Sequence, residues 1–486
     1  MMHPALAGLL HDCAAARDGT PHLILADWLE DHGQPDRAAF VRLQCRLADW
    51  VPDWKERQRL IEEQDATLEA NQERWLGPLA ELCNRVEFIR GLAYLAVTGQ
   101  KFLTKRFQAG LTETALIAGV RFLRAWSPVR VARSDGLAAV PAVSFAGLGL
   151  REAAVATLVG SERLSRAAVL DLSDNQLERD GTDALLASVL PRTLARLDLR
   201  NNNLGAEEGE RLLDAVAGDL DLVNNPLGPE VVARLAERAP PDRVMNSLGM
   251  EFVPVPAGSF LMGSPAHETG ARENEKPRHP VTLTQPFRLG RFAVTQGQYW
   301  TVTGQNPSEF AGDWTRPIDN VTWDDAVAFC AALAARPEEK TAGRTYRLPT
   351  EAEWEHACRA GTTTPFHLGA PPSADFVNYD GNYNYGGAPV GPYLRRTTAV
   401  GSYPPNAFGL YDMHGNVWEW CADYYAEDTY TKKARVDPTG PRRGYDRVRR
   451  GGCWDAIGSY CRSAHRNGQP ADQTNRFTGF RVVLVR

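Results

Sequence analysis

Apolar positions recur at different periods along the chain, and each change of period marks a change of region. In PHLILADWLEDHGQPDRAAFVRLQCRLADW, Leu23, Leu25, Ala26 and Leu29 fall at helical spacing, which predicts a buried stripe on a helix. Gly33 and Pro35 interrupt the pattern, Asp36 is placed to cap the next helix, and Phe40, Leu43 and Leu47 continue the stripe. A third, highly charged helical segment runs from Trp54 to Trp75. Residues 1–87 therefore read as a small helical module. Its phrase LADWLEDHGQPDRAAFVRLQ is similar to a short helical companion domain that precedes repeat arrays.

Residues 88–240 change to a long period. LDLSDNQL (170–177), LDLRNNNL (197–204) and LDLVNNPL (220–227) each fit L-x-L-x-x-N-x-L, and a degenerate copy, VSFAGLGL, begins at Val143. This spacing resembles a short leucine-rich-repeat array with one helix per unit. Its leucines would fill a core shared by stacked neighbours, and Asn175, Asn202 and Asn225 would bond the turn backbone. The array would act as a scaffold or offer a surface to a protein partner. It ends near Ala239-Pro240-Pro241.

From residue 246 short strands dominate. NSLGMEFVPVPAGSFLMGS (246–264) reads as strand, turn and strand, and FRLGRFAVTQGQYW (287–300) leads from a strand into a helix. VTWDDAVAFCAALAAR (321–336) and RLPTEAEWEHACRAG (347–361) read as helices. They are opened by the capping pairs Thr322 with Asp325 and Thr350 with Glu353. The fold class expected for the chain is multidomain α+β: helical module 1–87, repeats 88–240, and a loop-rich domain 246–486.

Composition narrows the partners. Charged residues make up 23% of the chain and the net charge is −6, so bulk charge gives no strong nucleic-acid signal. From Lys432 onward, however, 13 Lys and Arg stand against four Asp, an excess that could attract an acidic ligand. No apolar run has membrane-spanning length and no secretion signal is read, so no membrane partner is expected. Eight scattered cysteines without a C-x-x-C point to reduced thiols and a cytoplasmic location.

PAGSFLMGS, FAVTQGQY, RLPTEAEWEHACR, NAFGLYDMHGNVWEW, RGGCW, CRSAHRN and GFRVV occur in the order found in formylglycine-generating enzymes and their sulfatase-modifying-factor relatives. The resemblance implies a C-type-lectin-like core with long loops. It also implies a copper oxidase in which a Cys-x₄-Cys pair after a Gly-Gly step binds Cu(I), for which soft thiolates are suited. The pair here is Gly451-Gly452, which sets the second cysteine on Cys461 and the first on Ala456. Alanine has no donor atom, so copper is not expected and the domain is not expected to be an oxidase. Cys461 would be the catalytic residue if it were one. Cys453 lies eight residues before Cys461 and pairs with it more readily as two thiols or a disulfide than around a metal. The iron-dependent relatives need a His-rich ligand set that the helical region lacks.

The resemblance further implies a structural Ca²⁺ held by Asp412, Gly415, Val417 and Glu419, with two carboxylates and two backbone carbonyls suiting a hard cation. A second such site near Asn378 and Tyr379 meets Pro392 where an acid is needed. The tail keeps the family's framework and drifts between. Trp454, Asp455, Ala456, Ile457, Ser459 and Tyr460 form one group of candidate ligand-binding residues. His465, Asn467, Gln469, Gln473, Arg476 and Phe477 form another. Small, polar and aromatic side chains of this kind suit an adaptable recognition surface for a protein or small molecule. The tail also resembles the variable proteins of diversity-generating retroelements.

Overall fold

A computed structural model describes residues 3–16, 18–48, 54–113, 116–123, 127–238, 243–368 and 372–485. The stop expected at Ala239-Pro240-Pro241 lies outside the described residues. The N-terminal helices with residues 56–238 form one unit, and residues 239–486 form another.

The first unit opens with helices α1 (Pro4–Ala15), α2 (Thr20–Asp31), α3 (Pro35–Ala48) and α4 (Trp54–Leu76). Gly33, at φ 75°, makes the break between α2 and α3. The buried face of α2 is His22, Leu25, Ala26 and Leu29; Leu23, expected in the stripe, is 45% exposed. Seven strands follow: β1 (Arg85–Ile89), β2 (Leu92–Val97), β3 (Ile117–Phe122), β4 (Ala142–Ser144), β5 (Val169–Asp171), β6 (Arg196–Asp198) and β7 (Asp219–Asp221). They form one sheet in sequence order, antiparallel between β1 and β2 and parallel thereafter.

No division falls at residue 87. Leu25, Ala26, Leu29 and Val41 share a core with Leu92, Leu116 and Ala118, and Gln44 Oε1 accepts the Gly91 N–H at 2.6 Å. The helices thus close the end of the sheet, which would otherwise leave apolar side chains uncovered.

In the later units Val143, Leu170, Leu197 and Leu220 lie in register across four strands. The motif asparagines sit in the turns that follow. Asn175 Nδ2 donates to the carbonyls of Phe145 (3.0 Å) and Leu172 (2.9 Å), and its Oδ1 accepts the Leu150 N–H. Asn202 reaches Leu172, and Asn225 reaches Leu199 and Leu222. Each amide satisfies backbone that the turn would otherwise bury unpaired.

The described residues of the second unit form three sheets. One has the order β13 (Thr345–Arg347), β19 (Val483–Val485), β12 (Phe287–Gly290), β9 (Glu251–Val255), β8 (Val244–Met245). A second joins β10 (Gly258–Met262), β11 (His279–Leu283) and β15 (Arg435–Val436). The third has the order β17 (Arg466–Pro470), β16 (Asp446–Arg450), β14 (Trp418–Tyr424), β18 (Thr478–Phe480). Three helices, Gln296–Thr303, Trp323–Ala334 and Glu351–Arg359, each start with a reciprocal capping box. Trp420, Phe329, Phe480, Phe252 and Val482 fill the main core.

Candidate functional site

The tail from Gly451 to Phe480 is anchored from beneath by buried ion pairs. Arg450 meets Glu355, and Arg466 holds Glu351 with both Nε and Nη2 at 2.7 Å. Arg462 meets Glu275 at 2.8 Å and Glu268 at 2.6 Å. Burial opposes ionisation of Glu275, but His465 and Arg462 outweigh it and hold the carboxyl below its usual range. His465 is pulled down to about 4 by burial, against the pull of Glu275, so it is a neutral ring whose Nδ1–H donates to that carboxylate at 3.0 Å. These pairs fix backbone through which the loops above them run. Removing one partner would leave a buried charge unmatched.

Above this layer lies an aromatic cluster. The Trp454 ring packs against Phe310 and Phe477, each with centroids 5.4 Å away, and faces Tyr393 at 6.5 Å. Arg476 covers both Trp454 (5.5 Å) and Phe477 (5.1 Å) and lies 3.9 Å from Glu309. The Tyr393 hydroxyl donates to Asp455. Trp454 itself is only 3% exposed, so Arg476, Asp455 and the half-buried Phe310, Tyr393 and Phe477 present the cluster to solvent.

The expected tail residues divide accordingly. Asp455, Ile457, Ser459, Tyr460, Gln473, Arg476 and Phe477 reach the surface wholly or in part. His465 does not: it is fully buried between Tyr460 and Trp418. Gln469 is also interior, accepting from Arg449 and Asn475 and donating to the Gln473 carbonyl. Ala456 is buried as well, with its carbonyl accepting the Asp380 N–H at 2.9 Å. Asn467 is half-buried on β17, directly across from Arg449 on β16. His465, Gln469 and Ala456 thus shape the face from within rather than touch what lies on it.

Sequence reasoning missed Phe310 and Tyr393, which lie in long loops without periodicity.

The copper donor set does not fit. Ala456 brings only a methyl group to its position. Burial raises the Cys461 thiol far above its ordinary value, with Cys453 adding to the shift, and pushes Cys453 to about 12. Cys461 is fully buried, and its carbonyl accepts the His414 Nδ1–H at 2.7 Å. A Cβ added at Gly452 would come within 2.5 Å of the Cys461 sulfur. Both thiols are therefore packed inside the domain.

Of the residues expected to hold calcium, Glu419 is engaged by Arg481 at 2.8 Å and accepts the Trp354 indole N–H at 2.7 Å. Asp412 Oδ2 accepts the Gly401 N–H at 2.6 Å. Gly415, at φ 77°, is required for close packing, since an added Cβ would lie 2.3 Å from the Asn378 carbonyl. Val417 is buried. At the second position Asn378 spends its amide on the Arg396 carbonyl and Asn416. Among the described residues, no group of three or more His, Cys, Asp or Glu side chains is placed to hold a metal ion.

A separate concavity of about 620 Å³ opens beside the helix Trp323–Ala334, lined by Trp323, Val327, Cys330, Leu348 and Pro438 among others. None of the expected tail residues lines it. Among the described residues, no helix is long and apolar enough to cross a membrane.

With this geometry in place, comparison with known proteins defines the class. The profile of the sulfatase-modifying factor enzyme 1-like domain matches residues 237–485, just over half of the chain, and the chain belongs to that family. It is 28% identical over 303 residues to the formylglycine-generating enzyme of Thermomonospora curvata, covering 50% of this chain and 96% of that protein. It is 31% identical over 282 residues to the serine/threonine-protein kinase pkn1 of Chlamydia caviae, covering 52% of this chain. The match spans only 41% of that kinase's length. Treponema denticola variable protein 1 is a solved structure with 28% identity and a TM-score of 0.41; the match covers 50% of this chain and 99% of that one.

Proposed function

We propose that residues 246–486 are a recognition domain that binds a protein or small-molecule ligand on the tail face and performs no oxidation. One observation carries this reading: where the copper pair requires a second thiolate, Ala456 offers only a methyl group, and Cys461 is fully buried. The half-exposed aromatic and arginine cluster around Trp454 supports it, because such side chains bind through area and stacking at small entropic cost. The first unit, with its leucine register and asparagine-bonded turns, serves in this reading as a leucine-rich-repeat scaffold or second binding surface. A cytoplasmic, diversified variable protein is the narrower form. It is tested by looking for a near-copy of the tail's coding segment, differing at adenines, beside a reverse-transcriptase gene.

The alternative is a copper-dependent oxidase of a sulfatase-type cysteine using Cys461, and the similarity to formylglycine-generating enzymes favours it. One assay separates the two. The protein is loaded with Cu(I) and offered a Cys-x-Pro-x-Arg peptide. No stoichiometric copper and no peptide aldehyde is the expected result, and both appearing would overturn the proposal. Ala456→Cys should acquire one Cu(I) that the unaltered protein does not hold.

A further inference from the structure

The helix Trp323–Ala334 carries two apolar stripes. Ala326, Phe329, Cys330 and Leu333 point into the core. Trp323, Val327 and Ala331 recur at four-residue spacing on an adjoining face, where a helix facing water carries polar groups. Val327 is 39% exposed, and Ala331 is exposed as well. These three side chains form one wall of the cavity of about 620 Å³. Leu348 just after β13, Ala422 on β14, Leu283 on β11 and Pro438 form the others. The volume falls within the roughly 300–1,000 Å³ of sites that enclose a small organic molecule.

The walls are held in place by the fold itself. The Trp323 indole N–H donates to the Cys421 carbonyl at 2.8 Å, and Arg447 covers one face of the ring at 3.7 Å. Cys330 brings an uncharged surface, since burial pushes its thiol up to about 12. Three charged side chains line the cavity: Arg347, Glu353 and Asp437. The first two cancel, because both Nη groups of Arg347 donate to Glu353 at 2.7 Å. Asp437 accepts the Thr284 N–H at 2.8 Å and the Thr284 hydroxyl at 2.6 Å, both neutral donors. Among the described residues no cation pairs with it; Lys432, Lys433 and Arg435 precede it but do not line the cavity. An apolar chamber with one unmatched negative charge favours a positively charged guest and disfavours an anion.

We propose that this cavity binds a small organic amine, with an apolar, ring-containing body against Trp323, Val327 and Leu348 and an ammonium group facing Asp437. The walls supply the contact area, and Asp437 sets the preference for charge. The site is separate from the tail face, since no residue expected to contact ligand there lines the cavity, and it stands whether or not that face binds.

Three probes that share one ring system separate these parts: naphthylmethylamine, naphthylmethanol and naphthoate. Each is titrated into the full-length protein at neutral pH. Affinity is measured by equilibrium dialysis, and the indole N–H resonance that is absent from Trp323→Phe is followed by NMR. The amine should bind saturably and move that resonance, with affinity falling from amine to alcohol to naphthoate. Val327→Arg, at an exposed position, should weaken the amine at least about tenfold by setting bulk and a like charge at the mouth. Asp437→Asn should weaken the amine about fivefold and leave the alcohol unchanged, because it removes only a charge near the surface. The proposal is overturned by a Trp323 resonance that stays still, by naphthoate binding as tightly as the amine, or by Val327→Arg binding as well as the unaltered protein. Equal losses of amine and alcohol in Asp437→Asn would overturn it too, since they would make Asp437 a purely structural residue. The comparison of amine with naphthoate needs no variant to fold.

Discussion

The ring of Tyr460 lies flat on that of His465, with centroids 4.8 Å apart and planes 2° from parallel. One side of this stack faces solvent, where Arg272 covers Tyr460 at 4.4 Å. The other ends in the interior, where His465 donates to Glu275. A change of charge at His465 would therefore reach the surface loop through one stacked pair.

Acid should expose that link. Burial holds His414 and His465 at about 4, below the 6.5 ordinary for histidine. The unfolded chain takes up these protons near pH 6.5 and the folded protein only near pH 4. Their contribution to stability is complete above pH 6.5 and is lost as the pH falls towards 4. Melting temperature measured between pH 4 and 8 should decline over that window, and His465→Gln should decline less. Identical profiles would contradict the assignment.

Asp319 should act with the opposite sign. Burial, with Glu309 adding to it, raises its carboxyl to about 7; Oδ1 accepts the Glu309 N–H at 2.9 Å and Oδ2 is buried without a partner. Its contribution is present below pH 4 and lost as the pH rises to 7, because the unfolded carboxyl ionises first. Asp319→Asn cannot ionise. Its melting temperature relative to the unaltered protein should be higher at pH 8 than at pH 5, and an equal difference at both would refute this.

Glu355 sits between Arg450 and Arg359 and accepts the Gly263 N–H at 2.8 Å, fully buried. Glu355→Gln leaves two guanidinium groups short of charge. It should destabilise the second unit by roughly 3–5 kcal/mol in a denaturant titration.

The Trp454 cluster should separate packing from contact. Trp454→Ala removes a ring packed on Phe310 and Phe477 and should destabilise by about 3–5 kcal/mol. Arg476→Ala alters an exposed side chain and should stay within about 0.5 kcal/mol while weakening ligand binding.

In the first unit, Asn202 is fully buried and donates to the carbonyls of Leu172 and Arg200. Asn202→Ala leaves those acceptors dry and should cost about 1–3 kcal/mol. Hydrogen exchange should quicken in the turns around Leu172 and Arg200 rather than in the second unit.

The sequence by itself determined what local chemistry decides. The capping boxes at Thr322 and Thr350 name their own partners three residues on, and both helices start there. The L-x-L-x-x-N spacing picked out Leu170 and Leu197, which pair across adjoining strands, and the asparagines that bond the turns after them. The order of motifs after residue 246 identified the family, and the methyl at Ala456 was visible from counting alone. Tertiary structure decided what depends on distant partners. Nothing near Glu419 foretold Arg481, 62 residues away, which pairs with its carboxylate. Nothing near His465 foretold Glu275, which draws a residue from the candidate surface into the core. The division expected at residue 87 vanished because the helices before it cover the edge of the strands after it. Charge balance in a low-dielectric interior is set by which groups folding brings together, and spacing along the chain does not record it.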